Sequence, residues 1–366
     1  MVIYKSIENK EERSFMDRLK ANRPYDCFCG MGISLDFACS YILENSNIVP
    51  PSADASSVKV LIVSDRVVSG YYYSKFENQF TLRGIKPNLI VVEGGEGEKN
   101  LSNVNEILRY LVDFEFGSKD WIISFGGGGI TDLAGFAAAV YSGRSNLMVI
   151  PTTLDSMVEG AVARDAGINV GKYKNMAKVP FAPKVVFADP VYLDSVPAKI
   201  RSNGYAAVLR VALLRDPDLL KDLRSPGNLR EYLDKIYDAT YDIELKNPLL
   251  LTIGDDIADA IEGYFRFMNY SQGEALALSL LSAVPDAARN ALKSRYQELG
   301  LPSVLVDVNP SMIIKTIMDN LKRSGKESFK VVDYEAGKWV IRDLSLEETM
   351  LIYSGRIKFI SEGKYQ

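Results

Sequence analysis

Residues 121–141 read WIISFGGGGITDLAGFAAAVY. An apolar run of strand character, 121–125, passes directly into Gly126-Gly127-Gly128-Gly129 and then into a helix-like segment that opens with Ile130, Thr131 and Asp132. Strand, glycine turn and helix in that order set backbone N–H groups and the positive end of a helix dipole against an anion. Glycine permits this, because a Cβ would hold a phosphate off the backbone and some turn positions need φ > 0. The pattern is not the G-x-G-x-x-G fingerprint. A plain structural turn is the competing reading, and four consecutive glycines are a costly way to build one.

The segments around this turn repeat the same alternation. Residues 58–64 (VKVLIVS), 88–92 (NLIVV), 147–150 (LMVI) and 185–188 (VVFA) read as buried strands, and 101–114 has helical spacing. Strands that are apolar on both sides and separated by helices predict a parallel sheet covered on both faces. Asp65 closes the first of these strands, and Gly95-Glu96-Gly97-Glu98-Lys99 follows the second, where a ligand crevice would open. After residue 179 the pattern changes to long helical segments: 199–214, 229–245, 250–268, 273–284, 286–299 and 310–322. The expected organisation is an α/β domain over 1–180 and a mainly α-helical domain over 181–366. Residues 329–360 carry short strand-like runs whose placement stays open.

The 366 residues are 47% hydrophobic and 25% charged, with a net charge of -4. That composition supports large cores and gives no basic footprint for nucleic acid. Apolar runs reach only about ten residues, too short to span a bilayer. The N-terminus has neither a basic start nor an apolar stretch of secretory type, which points to the cytoplasm. Cys27, Cys29 and Cys39 are too few for a disulfide framework and read as reduced, buried thiols. The chain has no histidine. Imidazole zinc ligands, histidine triads and imidazole proton relays are therefore excluded, and chemistry must come from carboxylates, Lys, Arg, Tyr, Ser, Cys, backbone dipoles or a cofactor.

Five stretches in order, GGGGITDLAGFAAAVY (126–141), PTTLDSMVE (151–159), AGINVGKYKNM (166–176), FADPVYLDSVP (187–197) and LLRDP (213–217), resemble the successive motifs of 3-dehydroquinate synthase and its sugar-phosphate cyclase relatives. The resemblance runs from about residue 58 to about 287. It implies a Rossmann-like N-terminal domain, an α-helical C-terminal domain, an active-site cleft between them, a homodimer, and NAD and zinc as cofactors. Carried over by position, the NAD contacts survive: Asp65, Glu96, Lys99, Gly127, Gly128, Asp132, Thr152, Thr153, Lys174 and Asn175.

The other half of the resemblance is eroded. The zinc-binding glutamate of the family's A-E-x-x-K helix falls on Ala207 and the lysine on Arg210. The histidines of the N-F-G-H-T-F-G-H-A-I-E motif fall on Asp255 and Asp259, and that of H-G-E-A on Gln272. Family arginines fall on Gly143 and Pro248, and the D-S-S-x-G-G-K segment leaves Glu159 and Asp165, with Arg144 and Arg164 beside lost basic positions. Lys235 and the cluster Lys322, Arg323 and Lys326 align as survivors. Zinc is expected to be absent. Glu159, Lys235, Arg210, Asp255 and Asp259 are the candidates for chemistry, and Asp255 and Asp259, four apart on one helix face, could instead hold a hard cation with Glu159. Three functions remain open: a diverged NAD-dependent enzyme acting on a polyol or sugar phosphate, a catalytically inactive NAD-binding or regulatory relative, and a 3-dehydroquinate synthase with a rearranged site.

Overall fold

The computed structural model describes residues 25–46, 55–160, 165–215, 229–335 and 338–362. The chain divides into two compact units, Met1–Asn169 with Asn175–Val196, and Val170–Lys174 with Pro197–Gln366.

The first unit is an α/β layer structure. Its strands are β1 (Asp26–Cys29), β2 (Val60–Asp65), β3 (Asn88–Val92), β4 (Trp121–Gly126), β5 (Asn146–Pro151) and β8 (Val185–Ala188), and its helices are α1 (Ile33–Asn45), α2 (Arg66–Thr81), α3 (Leu101–Asp113) and α4 (Gly128–Val140). The six strands are all parallel, in the order β1-β8-β5-β4-β2-β3. Every residue of β4 and β8 is buried, as a sheet covered on both faces requires. β1 is not legible as a strand, because DCFC is short and carries no β-branched residue. A separate two-stranded ribbon joins β6 (Asp165–Val170) to β7 (Tyr173–Pro180), with its turn at Gly171, φ +61°. Buried Asp189 locks the end of β8 to the start of α1, accepting from the amides of Gly32, Ser34 and Val191 and from the Ser34 hydroxyl at 2.6 Å.

The second unit is mainly helical: α5 (Ala198–Arg215), α6 (Leu229–Lys246), α7 (Asp255–Tyr264), α8 (Gln272–Ala283), α9 (Asp286–Leu299), α10 (Pro310–Arg323) and α11 (Leu346–Glu362). The single helix expected over 250–268 is instead a 3-10 turn (Pro248–Thr252) followed by α7. Gly254 makes the break at φ +92°, and Arg266 and Phe267 end α7 in left-handed conformations. The unplaced C-terminal runs resolve into the antiparallel pair β9 (Phe329–Glu335) and β10 (Lys338–Leu344), and then α11. Trp339 anchors this pair by donating from Nε1 to the Leu213 carbonyl at 2.8 Å. No helix among the described residues is long and apolar enough to cross a membrane.

At Gly273, α8 meets α5 so closely that a Cβ would lie 2.0 Å from the Asn203 carbonyl oxygen. At Gly355, inside α11, a Cβ would meet nothing within 4 Å. Gly273→Ala should therefore cost about 1–3 kcal/mol by overpacking. Gly355→Ala should gain about 0.5–1 kcal/mol from helix propensity. Urea midpoints of the two variants against the parent check the opposite signs.

All three cysteines are buried, and burial pushes the Cys39 thiol up to about 12. Since the thiolate is the reactive form, a disulfide-exchange reagent at pH 8 should label none of them in the folded chain and all of them after denaturation. Rapid native labelling of Cys39 would contradict the packing of α1.

Candidate functional site

The strand order creates a divergence between β2 and β4. The chain leaves β2 through α2 towards β3, returns through α3 to β4 on the other side, and continues through α4 to β5. Ligand crevices of open parallel sheets form at the carboxyl ends of such strands. Asp65 and the glycine turn stand at those ends.

The four glycines have different roles. A Cβ on Gly126 would lie 2.7 Å from Ile130, so this position serves packing between strand and helix. A Cβ on Gly127 would meet Thr153 at 3.3 Å, whereas Gly128 and Gly129 have no closer neighbour than Asp155 Oδ2 at 4.0 Å and the Gly95 carbonyl at 3.8 Å. Gly127 is the N-cap of α4 and offers no side chain to the first-turn amides. Ile130 donates to the Gly127 carbonyl at 3.1 Å, so it is the Gly128 and Gly129 amides that lack an intrahelical acceptor and are left to whatever sits above the turn. Asp65, one of the expected cofactor residues, caps α2. Its Oδ1 accepts from the amides of Val67 and Val68, each at 2.9 Å.

Next to the turn lies a charged network. The buried Lys99 ammonium contacts Asp132 Oδ2 at 2.6 Å and Glu96 Oε1 at 3.0 Å. Asp132 Oδ1 also accepts from the Gly167 amide at 3.2 Å. Burial pushes the Asp132 carboxyl above the usual carboxylate range, and the Lys99 charge pulls it back. Asn169 completes the assembly: it donates to the Glu96 carbonyl at 2.9 Å, and its Oδ1 accepts the Asn175 amide at 2.9 Å. Sequence reasoning misses Asn169, because nothing in a sequence separates a bridging asparagine from a surface one. Three of the expected cofactor residues, Glu96, Lys99 and Asp132, thus bind one another.

Two others hold polar atoms without partners. Thr152 Oγ1 and Asn175 Oδ1 are buried and make no hydrogen bond. Asn175 is also held at φ +53°. Buried polar groups are nearly always satisfied, so two orphans among the residues of one crevice motif set need a partner from outside the chain, a ligand or a bound water. Thr153 packs against the turn and hydrogen-bonds Ser156 through its hydroxyl at 2.9 Å. The half-buried Glu159 follows on a single π-helical turn, Ser156–Gly160, a distortion that concentrates at functional positions.

Lys174 groups with the second unit. Its ammonium is buried there, 2.7 Å from Glu262 Oε2 and 3.6 Å from Asp259 Oδ1. On the first turn of α7, Asp255 receives a hydrogen-bonded ion pair from the buried Arg210, which also donates to the Ile253 carbonyl at 3.2 Å. Ala207 is buried on α5. Gln272 and Gly273 open α8, where Glu274 closes a capping box with Ser271: the Ser271 amide donates to Glu274 Oε2 at 2.9 Å, and the Ser271 hydroxyl accepts the Glu274 amide at 3.2 Å. Among the described residues no group of three or more Cys, Asp and Glu side chains is gathered closely enough to hold a metal ion.

Of the remaining positions, Lys235 is exposed on α6 and Arg144 is exposed at φ +57°. Arg164 lies outside the described residues. Arg323 stacks over the Tyr173 ring at 4.0 Å and donates to its hydroxyl at 2.8 Å. Burial pushes Tyr205, also on α5, up to about 12, and its hydroxyl has no partner. Glu159 therefore belongs to the first unit, and Arg210, Lys235, Asp255 and Asp259 to the second.

A family model described as 3-dehydroquinate synthase N-terminal matches residues 89–203, from β3 to the start of α5. The 3-dehydroquinate synthase of Prochlorococcus marinus (strain AS9601) is 30% identical over 325 residues, covering 80% of this chain and 88% of the relative. Among solved structures, ValA (2-epi-5-epi-valiolone synthase) from Streptomyces hygroscopicus subsp. jinggangensis 5008 with NAD+ and Zn2+ bound is similar at a TM-score of 0.74, 22% identity, and coverage of 91% of this chain and 97% of that one. A 2-deoxy-scyllo-inosose synthase complexed with carbaglucose-6-phosphate, NAD+ and Co2+ follows at 0.72, 20% identity, and coverage of 92% and 97%. The structural likenesses establish the fold, and the sequence relative carries the lineage: this chain belongs to the 3-dehydroquinate synthase family.

Proposed function

We propose that this chain is an NAD-dependent enzyme, diverged from 3-dehydroquinate synthase, that acts on a hydroxyl group of a polyol or sugar phosphate without zinc. The observation that carries the cofactor is the pair of orphaned buried atoms, Thr152 Oγ1 and Asn175 Oδ1, in the same unit as an uncapped glycine helix end at the β2/β4 divergence. A dinucleotide fits that set. The amides of the first turn of α4 take the pyrophosphate. Gly128 and Gly129 let it approach. Asn175 Oδ1 is an acceptor and takes a ribose hydroxyl or a carboxamide N–H. Lys99, bound between Asp132 and Glu96, fixes the rim and keeps its charge within the protein. Relatives of this fold are known with NAD+ bound.

Bound NAD would supply a hydride acceptor for the carbon that bears the hydroxyl. The chain must then take the hydroxyl proton, and without histidine a carboxylate is the available acceptor near neutral pH. We assign this to Glu159, which the π turn sets half-buried after the loop that carries Thr152 and Thr153. Zinc does not fit. Its sites need nitrogen, sulfur or carboxylate donors. Ala207 offers none, Gln272 offers an amide, and the Asp255 carboxylate is already bonded to a guanidinium.

Calorimetric titration of the purified chain with NAD tests the cofactor, and absence of binding would sink this reading. Thr152→Val should weaken NAD binding about tenfold while leaving the unliganded chain as stable or more so, since it removes an unsatisfied buried hydroxyl. Thermal midpoints with and without NAD separate the two effects. Glu159→Gln should keep NAD affinity and lose at least about a hundredfold in turnover, the usual worth of a general base. Turnover is found by screening polyols and sugar phosphates for reduced-cofactor absorbance. Phosphate release from the seven-carbon keto-acid phosphate of 3-dehydroquinate synthase would instead favour a rearranged synthase. NAD binding with no turnover would favour an inactive relative.

A further inference from the structure

The positions that would hold a divalent cation in this family have a second property in the chain beyond poor donors. Asp255 and Asp259, one turn apart on α7, each face a buried monovalent cation supplied by the protein itself. The Arg210 side chain is only 5% exposed and that of Lys174 only 3%. Glu262, 1% exposed, shares the Lys174 ammonium. A buried charge survives only when paired and hydrogen-bonded, and removing one partner costs far more than the pair contributes. These are therefore built contacts. Two fixed single charges also match the total charge of one divalent ion.

We propose that Arg210 and Lys174 are a permanent internal replacement for the divalent cation, so that the second unit keeps its α7 carboxylates paired and ordered without metal and does not take one up. This extends the reading above, in which zinc has no place, by naming what stands in for it. The local field supports the assignment. An incoming cation would meet Asp255 and Asp259 with a guanidinium and an ammonium already on them, and like charges at such range repel strongly. The guanidinium cannot be titrated away, so the block holds at any working pH. Arg210 binds as a planar donor to both Asp255 and the Ile253 carbonyl, which ties the start of α7 to α5. Asp255 stays 43% exposed beyond that pair, so its carboxylate still meets solvent and can accept a ligand hydroxyl.

The test uses the full chain and metal salts alone. Elemental analysis after dialysis should find no stoichiometric zinc. The thermal midpoint should not move with EDTA, ZnCl2 or MnCl2. Arg210→Ala, which uncovers Asp255, should gain a midpoint rise of at least about 2 °C on adding MnCl2, the mark of a ligand that binds only the folded state. Arg210→Lys should stay indifferent, since it restores the charge. One-to-one zinc in the parent with a midpoint that falls on chelation would overturn the proposal, and so would a folded Arg210→Ala with no response to manganese. If Arg210→Ala does not fold, calorimetric titration of the parent with zinc decides alone: heat of one-to-one binding refutes, none supports. NAD titrated into the same samples reports on the cofactor reading separately.

Discussion

A buried ammonium must have carboxylates around it, and in the first unit much of the crevice rim depends on meeting that demand at Lys99. Its two partners come from different places, Glu96 from the loop after β3 and Asp132 from the second turn of α4. The same carboxylates then recruit the β6–β7 ribbon, through the Gly167 amide on Asp132 and through the Asn169 side-chain amide on Glu96 Oε1. One positive charge thus fixes a loop, a helix and a hairpin relative to the glycine turn. Within this frame Asn175 is held at an unfavourable φ with its side-chain oxygen unsatisfied. Strain and unmet hydrogen bonds of that kind persist where the surrounding structure over-determines them.

The sheet is legible in the sequence because its strands are short, apolar on both faces and separated by helical spacing, which leaves few architectures open. Helix ends such as Asp286–Leu299 are equally plain from their flanking proline and glycine. The features that stay hidden do so for identifiable reasons. β1 lacks the β-branched content that marks a strand. The break at Gly254 looks like an ordinary residue inside a long apolar pattern until its φ is known. The glycine turn is readable as an anion site, but the division of work among its four glycines is not, because it depends on Ile130 and Thr153 reaching back to the turn. Pairing of Lys99 with Asp132 and of Arg210 with Asp255 joins residues 33 and 45 positions apart, a range at which no periodicity speaks.

The second unit shows which positions of a motif are held by packing alone. In Gln272-Gly273-Glu274-Ala275 the glycine is held by its close approach to Asn203 and the glutamate by its capping box with Ser271. Both are demands of helix geometry and packing, and they are independent of whatever residue 272 does. The first position of the motif carries no such duty, and it is the one that differs from the family pattern. On α5, Ala206 and Ala207 are both fully packed.

Gly143 sets a direction on sequence change. An arginine does not fit at this position, because any Cβ there would come within 2.3 Å of the Tyr141 ring and 2.6 Å of the Phe116 carbonyl. Tyr141 in turn is anchored by its hydroxyl to the carbonyls of Leu111 and Phe116. An arginine placed at 143 alone would collide with this neighbourhood, so Tyr141 would have to move with it. The present anchoring of Tyr141 and a side chain at 143 therefore exclude one another.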